Sequence, residues 1–196
     1  LVVTFRNDGE GPRIGSGRST LGATEVDDVE AAISYAVRRG AERFVLFGWS
    51  MGAEIALQLA HRSDYAQLVA GLVLDSPVLD WVEVIKANCA RSGLPPAAGH
   101  LAIPWLTLGP LARMMGLPNA IQLRELAWIH RAEELTVPTL ILHGVIDDSA
   151  PIRNSEALRD RRPRSCARSR ARATRGPPRV GAAAARASSR GSGRGL

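Results

Sequence analysis

Apolar positions along the first 160 residues form two alternating kinds of run. The chain opens on Leu1-Val2-Val3-Thr4-Phe5, which reads as a strand, and continues in a Gly-rich polar loop from Arg6 to Gly22. Val26, Val29, Ile33 and Val37 then recur at helical spacing. Thr24 stands where a helix cap belongs, Glu25, Asp27 and Asp28 make an acidic first turn, and Arg38-Arg39-Gly40 make the end. Phe44-Val45-Leu46-Phe47 is apolar at every position, the pattern of a strand covered on both faces in a parallel sheet. Residues 53–61 return to helical spacing, Leu72-Val73-Leu74 is a further apolar strand, and Thr139-Leu140-Ile141-Leu142 is the last. Between these two strands the pattern breaks. Residues 81–135 hold short helical pieces rich in Trp, Leu and Met, interrupted by Pro95, Pro96, Pro104, Pro110 and Pro118. Strands alternating with helices predict an α/β fold: a parallel sheet of about four strands, right-handed crossovers and a helical insertion at residues 81–135.

From Arg161 onward the periodicity ends. Arg, Ala, Gly, Ser and Pro fill 32 of the 36 positions to Leu196, too apolar-poor a mixture to offset the entropy of ordering. The expected organisation is therefore one domain over residues 1–160 and a disordered tail over residues 161–196. The tail also carries the charge. It holds 11 Arg and no acid, against 14 basic and 19 acidic residues before it, so the net +6 describes a mildly acidic body with a basic end. Without interleaved aromatic residues, such a tail touches nucleic acid or other polyanions only non-specifically, through phosphate. A non-enzymatic polyanion binder is thus the alternative function. The same vocabulary is what GC-rich codons yield in a shifted reading frame, and a displaced original C-terminus is the expected origin of the segment.

No apolar run reaches the ~18 residues that span a bilayer, and no basic-then-apolar leader opens the chain. Cys89 and Cys166 are too few for a disulfide framework and have no metal-ligand neighbours, so both read as free thiols. A cytoplasmic location is expected, with no metal or cofactor implied.

The chemistry is concentrated at Gly48-Trp49-Ser50-Met51-Gly52, a G-x-S-x-G run placed directly after an apolar strand and before a helix. A sharp strand-to-helix turn lifts a serine hydroxyl above the sheet edge, and the helix N-terminus behind it favours developing negative charge. With Leu72-Val73-Leu74-Asp75-Ser76-Pro77 and His143-Gly144-Val145-Ile146-Asp147, this run resembles the α/β-hydrolase superfamily over about residues 1–157. The resemblance to its esterases, lipases and serine peptidases implies Ser50 as nucleophile and Asp147, followed by Pro151, as the acid. It implies the Met51 amide as one oxyanion donor, residues 81–135 as a lid, and a small-molecule acyl substrate. Asp75 and Asp80 follow an interior strand and are alternative acids. For the lid residues Trp105, Leu106, Met114 and Met115, packing within the lid is the expected role.

Two parts of that machinery are expected to be missing. The family's base is a histidine after the acid, and no histidine follows His143. His143 reads as a turn-stabilising residue and His61 as a helix-terminal one, while His100 and His130 fall in the lid. Relatives also carry several strands, and an H-G-G or H-G-x-x-G oxyanion loop, before the segment matching residues 1–5. The resemblance therefore implies a chain truncated at its N-terminus, with impaired catalysis. Restoring the reading frame near codons 158–164 is expected to recover a Gly-His pair around Ala173-Thr174.

Overall fold

The computed structural model describes residues 1–95, 97–162 and the backbone of residues 172–174. Four strands, β1 (Phe44–Trp49), β2 (Val69–Asp75), β3 (Thr139–Gly144) and β4 (Arg172–Thr174), lie side by side in that order, every pair parallel. Helix α1 (Val26–Arg38) precedes β1, α2 (Met51–Arg62) links β1 to β2, and α6 (Ile152–Arg161) follows β3. The insertion between β2 and β3 holds α3 (Trp81–Arg91), α4 (Ala98–Thr107) and α5 (Gly109–Met114), then short 3-10 turns at Trp128–His130 and Ala132–Glu134.

The main core lies on one side of the sheet. Leu72 and Leu74 of β2 and Ile141 of β3 pack with Leu57 of α2, Leu158 of α6 and the fully buried Trp128. Burial of each such side chain contributes roughly 1.5–3 kcal/mol. Residues of opposite parity on β1 have no such cover: Val45, Phe47 and Trp49 are 66%, 67% and 70% exposed. The expectation of a strand buried on both faces is corrected here, because all the core helices lie on the Phe44–Leu46 side. The insertion has its own core, formed by Ala112, Leu117, Ile121, Leu123 and Leu126 with Leu106 packed against it. Trp105, Met114 and Met115 remain outside it, at 39%, 73% and 41% exposure.

Two further expectations change. Residues 1–5 are not a strand; they run beside β1 without pairing, and the fourth strand is β4 instead. Thr24 does not cap α1. Its hydroxyl bonds that of Thr20, and the Glu25 carboxylate collects the amides of Thr20, Gly22 and Thr24. Those amides belong to the loop before the helix, so α1 starts without a side-chain cap bond. Helix α6 continues through Arg161, and Arg162 is buried, bonding the Leu135 and Val137 carbonyls. The tail beyond it, Cys166 included, lies outside the described residues apart from β4. Among the described residues no helix is long and apolar enough to cross a membrane.

Asp80 shows what starts α3. Its Oδ1 accepts from the amides of Val82 (2.8 Å) and Glu83 (3.4 Å), satisfying donors that a helix start leaves free. Asp80→Ala is expected to cost about 1 kcal/mol, lowering the melting temperature by roughly 2–4 °C. A thermal melt unchanged within error would show that this cap contributes nothing.

Candidate active site

Strands β1, β2 and β3 end at one sheet edge, and their turns carry the candidate residues. Trp49 pairs with Asp75, and Asp75 with Leu142, so Ser50, Ser76 and the turn after Gly144 follow from neighbouring positions. Ser50 takes φ +53° and ψ −116°, a left-handed conformation costing of order 1–3 kcal/mol for a residue with a Cβ. The surrounding backbone holds it there: its amide donates to Asp75 O (2.9 Å), and its carbonyl accepts from Ala53 (3.1 Å) and Val78 (3.2 Å). Gly48 is required by the same turn, since a Cβ there would lie 2.5 Å from the Ala53 backbone and also strike Gly52 O. Met51 is the first residue of α2, so its amide is one of the four that a helix leaves without an intrahelical acceptor. Ser50 and Met51 therefore stand at a tight strand-to-helix turn.

The acid candidate closes its own turn. Asp147 Oδ1 accepts from the amides of Ser149 and Ala150, both at 2.9 Å, and its Oδ2 lies 3.6 Å from His143 Nε2. Asp147 follows β3, with β2 standing between it and the elbow strand β1. At one strand spacing each, the two loops are roughly 10 Å apart, a gap that a bridging side chain must span. Asp75 is nearer the serine, at the end of β2, with Ser76 Oγ donating to its Oδ1 at 3.3 Å. Asp80 is occupied as the α3 cap.

None of the four histidines fills the gap. His143 is buried with both ring nitrogens engaged, Nδ1 to Ser155 Oγ (2.7 Å) and Nε2 to Ala150 O (2.8 Å), and it ties β3 to the turn and α6. His61 sits at the far end of α2, 3.2 Å from Glu134 and edge-on to Trp128. His100 lies on α4, and His130 in the 3-10 turn. The Ser50 hydroxyl makes no hydrogen bond to any described residue.

Beneath the elbow lies a pair of buried carboxyls that the sequence did not single out. Glu25 is fully buried; burial pushes its carboxyl up, but hydrogen bonds from Thr20 and Ser19 outweigh this and hold it below the usual range. Glu54, one turn into α2, is also fully buried and accepts from Gln58 Nε2 (2.9 Å). Burial raises it to about 8, which the Gln58 bond and the Arg62 charge only partly offset. One carboxyl is thus ionised and the other protonated near neutrality. The visible signal was one acid in residues 53–60, a stretch of α2 whose other members are apolar except Gln58. Among the described residues no three metal-ligating side chains converge.

A model of the alpha/beta hydrolase family matches residues 1–190, beyond the residue 157 at which the similarity was expected to end. No curated protein matches the chain. Among solved structures, Est816, an N-acyl homoserine lactone degrading enzyme, aligns at a TM-score of 0.55 and 22% identity, over 87% of this chain and 72% of its own. An esterase of Pyrococcus furiosus aligns at 0.52 and 15% identity, over 77% of this chain and 51% of its own. At these identities the likeness is one of fold. The chain thus spans about half the length of the Pyrococcus enzyme.

Proposed function

Because this chain belongs to the alpha/beta hydrolase family, we propose that it derives from a serine hydrolase acting on an ester, amide or similar acyl bond of a small molecule. Ser50 is its nucleophile, Asp147 its acid and the Met51 amide one oxyanion donor. The observation that carries this reading is the left-handed Ser50 at the β1–α2 junction, held by backbone bonds from β2 and from Val78. In that mechanism the Ser50 oxygen bonds the acyl carbon, its proton passes to a base, and the carbonyl oxygen takes negative charge beside the Met51 amide and the N-terminus of α2. Asp147 serves by orienting the base and stabilising its charged form. His143 cannot take that role while Ser155 and Ala150 engage both its nitrogens, and His61 is committed to Glu134. Among the described residues the proposed nucleophile thus has no histidine partner, and impaired turnover is the outcome expected of it.

Hydrolysis of p-nitrophenyl acetate is expected to run near background, and Ser50→Ala to change it little, since loss of a triad histidine alone costs up to about 10⁶-fold. Added imidazole supplies the base from solution. It should restore a rate increment that is saturable in substrate and absent from Ser50→Ala. A large Ser50-dependent rate without imidazole would overturn the impairment; an imidazole increment identical in both proteins would overturn Ser50 as nucleophile.

A further inference from the structure

At the end of α2 remote from Ser50 opens a cleft of about 790 Å³, walled on one side by Gln58, His61 and Arg62 of α2 and on the other by side chains between Arg124 and Arg131. At 1.5 Å per residue, Gln58 and Arg62 stand roughly 12–18 Å along the helix from Ser50, so the cleft is separate from the elbow. Two of its basic side chains are committed. Arg131 lies 4.6 Å from the centre of the Trp128 ring and donates from Nε to Glu134 Oε2 (2.9 Å), and His61 shares that carboxylate at 3.2 Å. Arg62 and Arg124 are not. Arg62 reaches the Ala23 carbonyl at 3.4 Å, and among the described residues no carboxylate lies within 4 Å of either guanidinium. A basic residue in the last turn of a helix offsets the negative helix end, which accounts for Arg62 but not for Arg124 on another segment. The cleft also holds an unused acceptor. Gln58 is 2% exposed; its Nε2 donates to Gly22 O (3.0 Å) and Glu54 Oε2 (2.9 Å), and its Oε1 is buried with no donor among the described residues. Buried amide oxygens are ordinarily satisfied.

Two guanidiniums without acid partners and one acceptor without a donor specify complementary chemistry. A guanidinium fork matches the paired oxygens of a carboxylate or phosphate. Gln58 Oε1 requires a hydrogen, which the charged oxygens of such a group do not carry, so the ligand must bring a hydroxyl as well. A cation would meet the Glu125 carboxylate alone against the guanidiniums of Arg62, Arg124 and Arg131. The volume is that of a small-molecule site. We propose that this cleft binds a small oxyanion bearing an O–H group, a hydroxycarboxylate or hydrogen phosphate. Its charged oxygens rest on Arg62 and Arg124, and its hydroxyl donates to Gln58 Oε1. Trp128, held between Arg131 on its face and His61 at its edge, forms a fixed wall beside the ligand. This inference is independent of any hydrolase activity.

The test titrates the full chain, at constant ionic strength, with lactate and with orthophosphate. Binding is read by calorimetry and by the indole N–H resonance of Trp128, assigned with Trp128→Phe. That local signal separates the cleft from anion pairing with the 11 Arg of residues 161–196. Saturable binding of either anion with a shift of the Trp128 resonance is expected, and the tighter of the two identifies the source of the oxyanion. Propanoate and sulfate are the counterparts chosen to withhold the hydroxyl. Each is expected to bind at least about fivefold more weakly than lactate and orthophosphate respectively, because the Gln58 bond is lost. Arg62→Gln and Arg124→Gln, both at exposed side chains, should each weaken binding about tenfold with an unchanged melting temperature. Failure of both anions to bind, or binding that the two arginine variants leave intact, overturns the proposal. A bound anion held no more tightly than its counterpart overturns it as well, since Gln58 then receives nothing.

Discussion

Gly48→Ala is expected to destabilise the domain by about 4 kcal/mol or more, a shift on the order of 10 °C in melting temperature, whereas Gly52→Ala is expected to be neutral or stabilising. The two glycines of the motif look equivalent in sequence. In the fold, a Cβ on Gly48 would lie 2.5 Å from the amide and Cα of Ala53, which are backbone and cannot swing aside. Relief would require moving α2 away from β1, and with it the Leu57 and Ile55 contacts of two cores. A Cβ on Gly52 meets only Phe5 Cζ at 3.8 Å, an ordinary contact. It sits within α2, where alanine gains roughly 0.5–1 kcal/mol over glycine. Thermal melts of both variants decide the matter. Equal losses, or a harmless Gly48→Ala, would mean that the elbow is not packed as described.

The second large effect concerns pH. Glu54 is raised from 4.5 to about 8 by burial, so between those values the folded state binds a proton that the unfolded state has released. Its contribution to stability is fully present below about pH 4.5 and falls as pH rises toward 8, by up to about 1.4 kcal/mol per pH unit. Above the folded value the loss levels off. Glu54→Gln keeps the shape without the ionisation, so its stability should stay flat across this window and exceed the parent's at pH 8. Gly22 makes the arrangement possible: its φ is +94°, and a Cβ on it would strike Glu54 Oε2. Urea midpoints from pH 5 to 8.5 measure the difference, and parallel curves for the two proteins would show that the buried carboxyl does not titrate in this range.

The elbow was legible because its signal is local: an apolar run, two glycines around a serine, then a helix. What escaped the sequence depended on neighbours. Leu1–Phe5 has strand composition, but a strand exists only with a partner, and alternation along one segment says nothing about who stands beside it. Phe44–Phe47 reads as doubly covered, yet the cover reaches one face. Thr24 has the chemistry of a cap, but its hydroxyl is engaged by that of Thr20, and α1 begins after Glu25 with no side-chain cap bond. At Arg172–Thr174, tail-like composition hid a segment that pairs with Leu142–Gly144, because backbone bonding to an open edge needs no particular side chain. The His143 role, by contrast, was visible in H-G-x-x-D and is met by its bonds to Ser155 and Ala150.

The fastening of the turns has a consequence for the order of folding. The Ser50 amide bonds Asp75 O, and the Ser76 amide bonds Leu142 O, so each turn at this edge is closed by a strand made later in synthesis. Ser50 and Ser76 both hold positive φ, at +53° and +46°, and neither conformation is favoured before its acceptor arrives. A nascent chain that has emerged only to residue 130 has β1 and β2 but no Leu142 to hold the second turn. The Ser50 turn can therefore close once β2 and Val78 have emerged, whereas the Ser76 turn waits for Leu142 of β3.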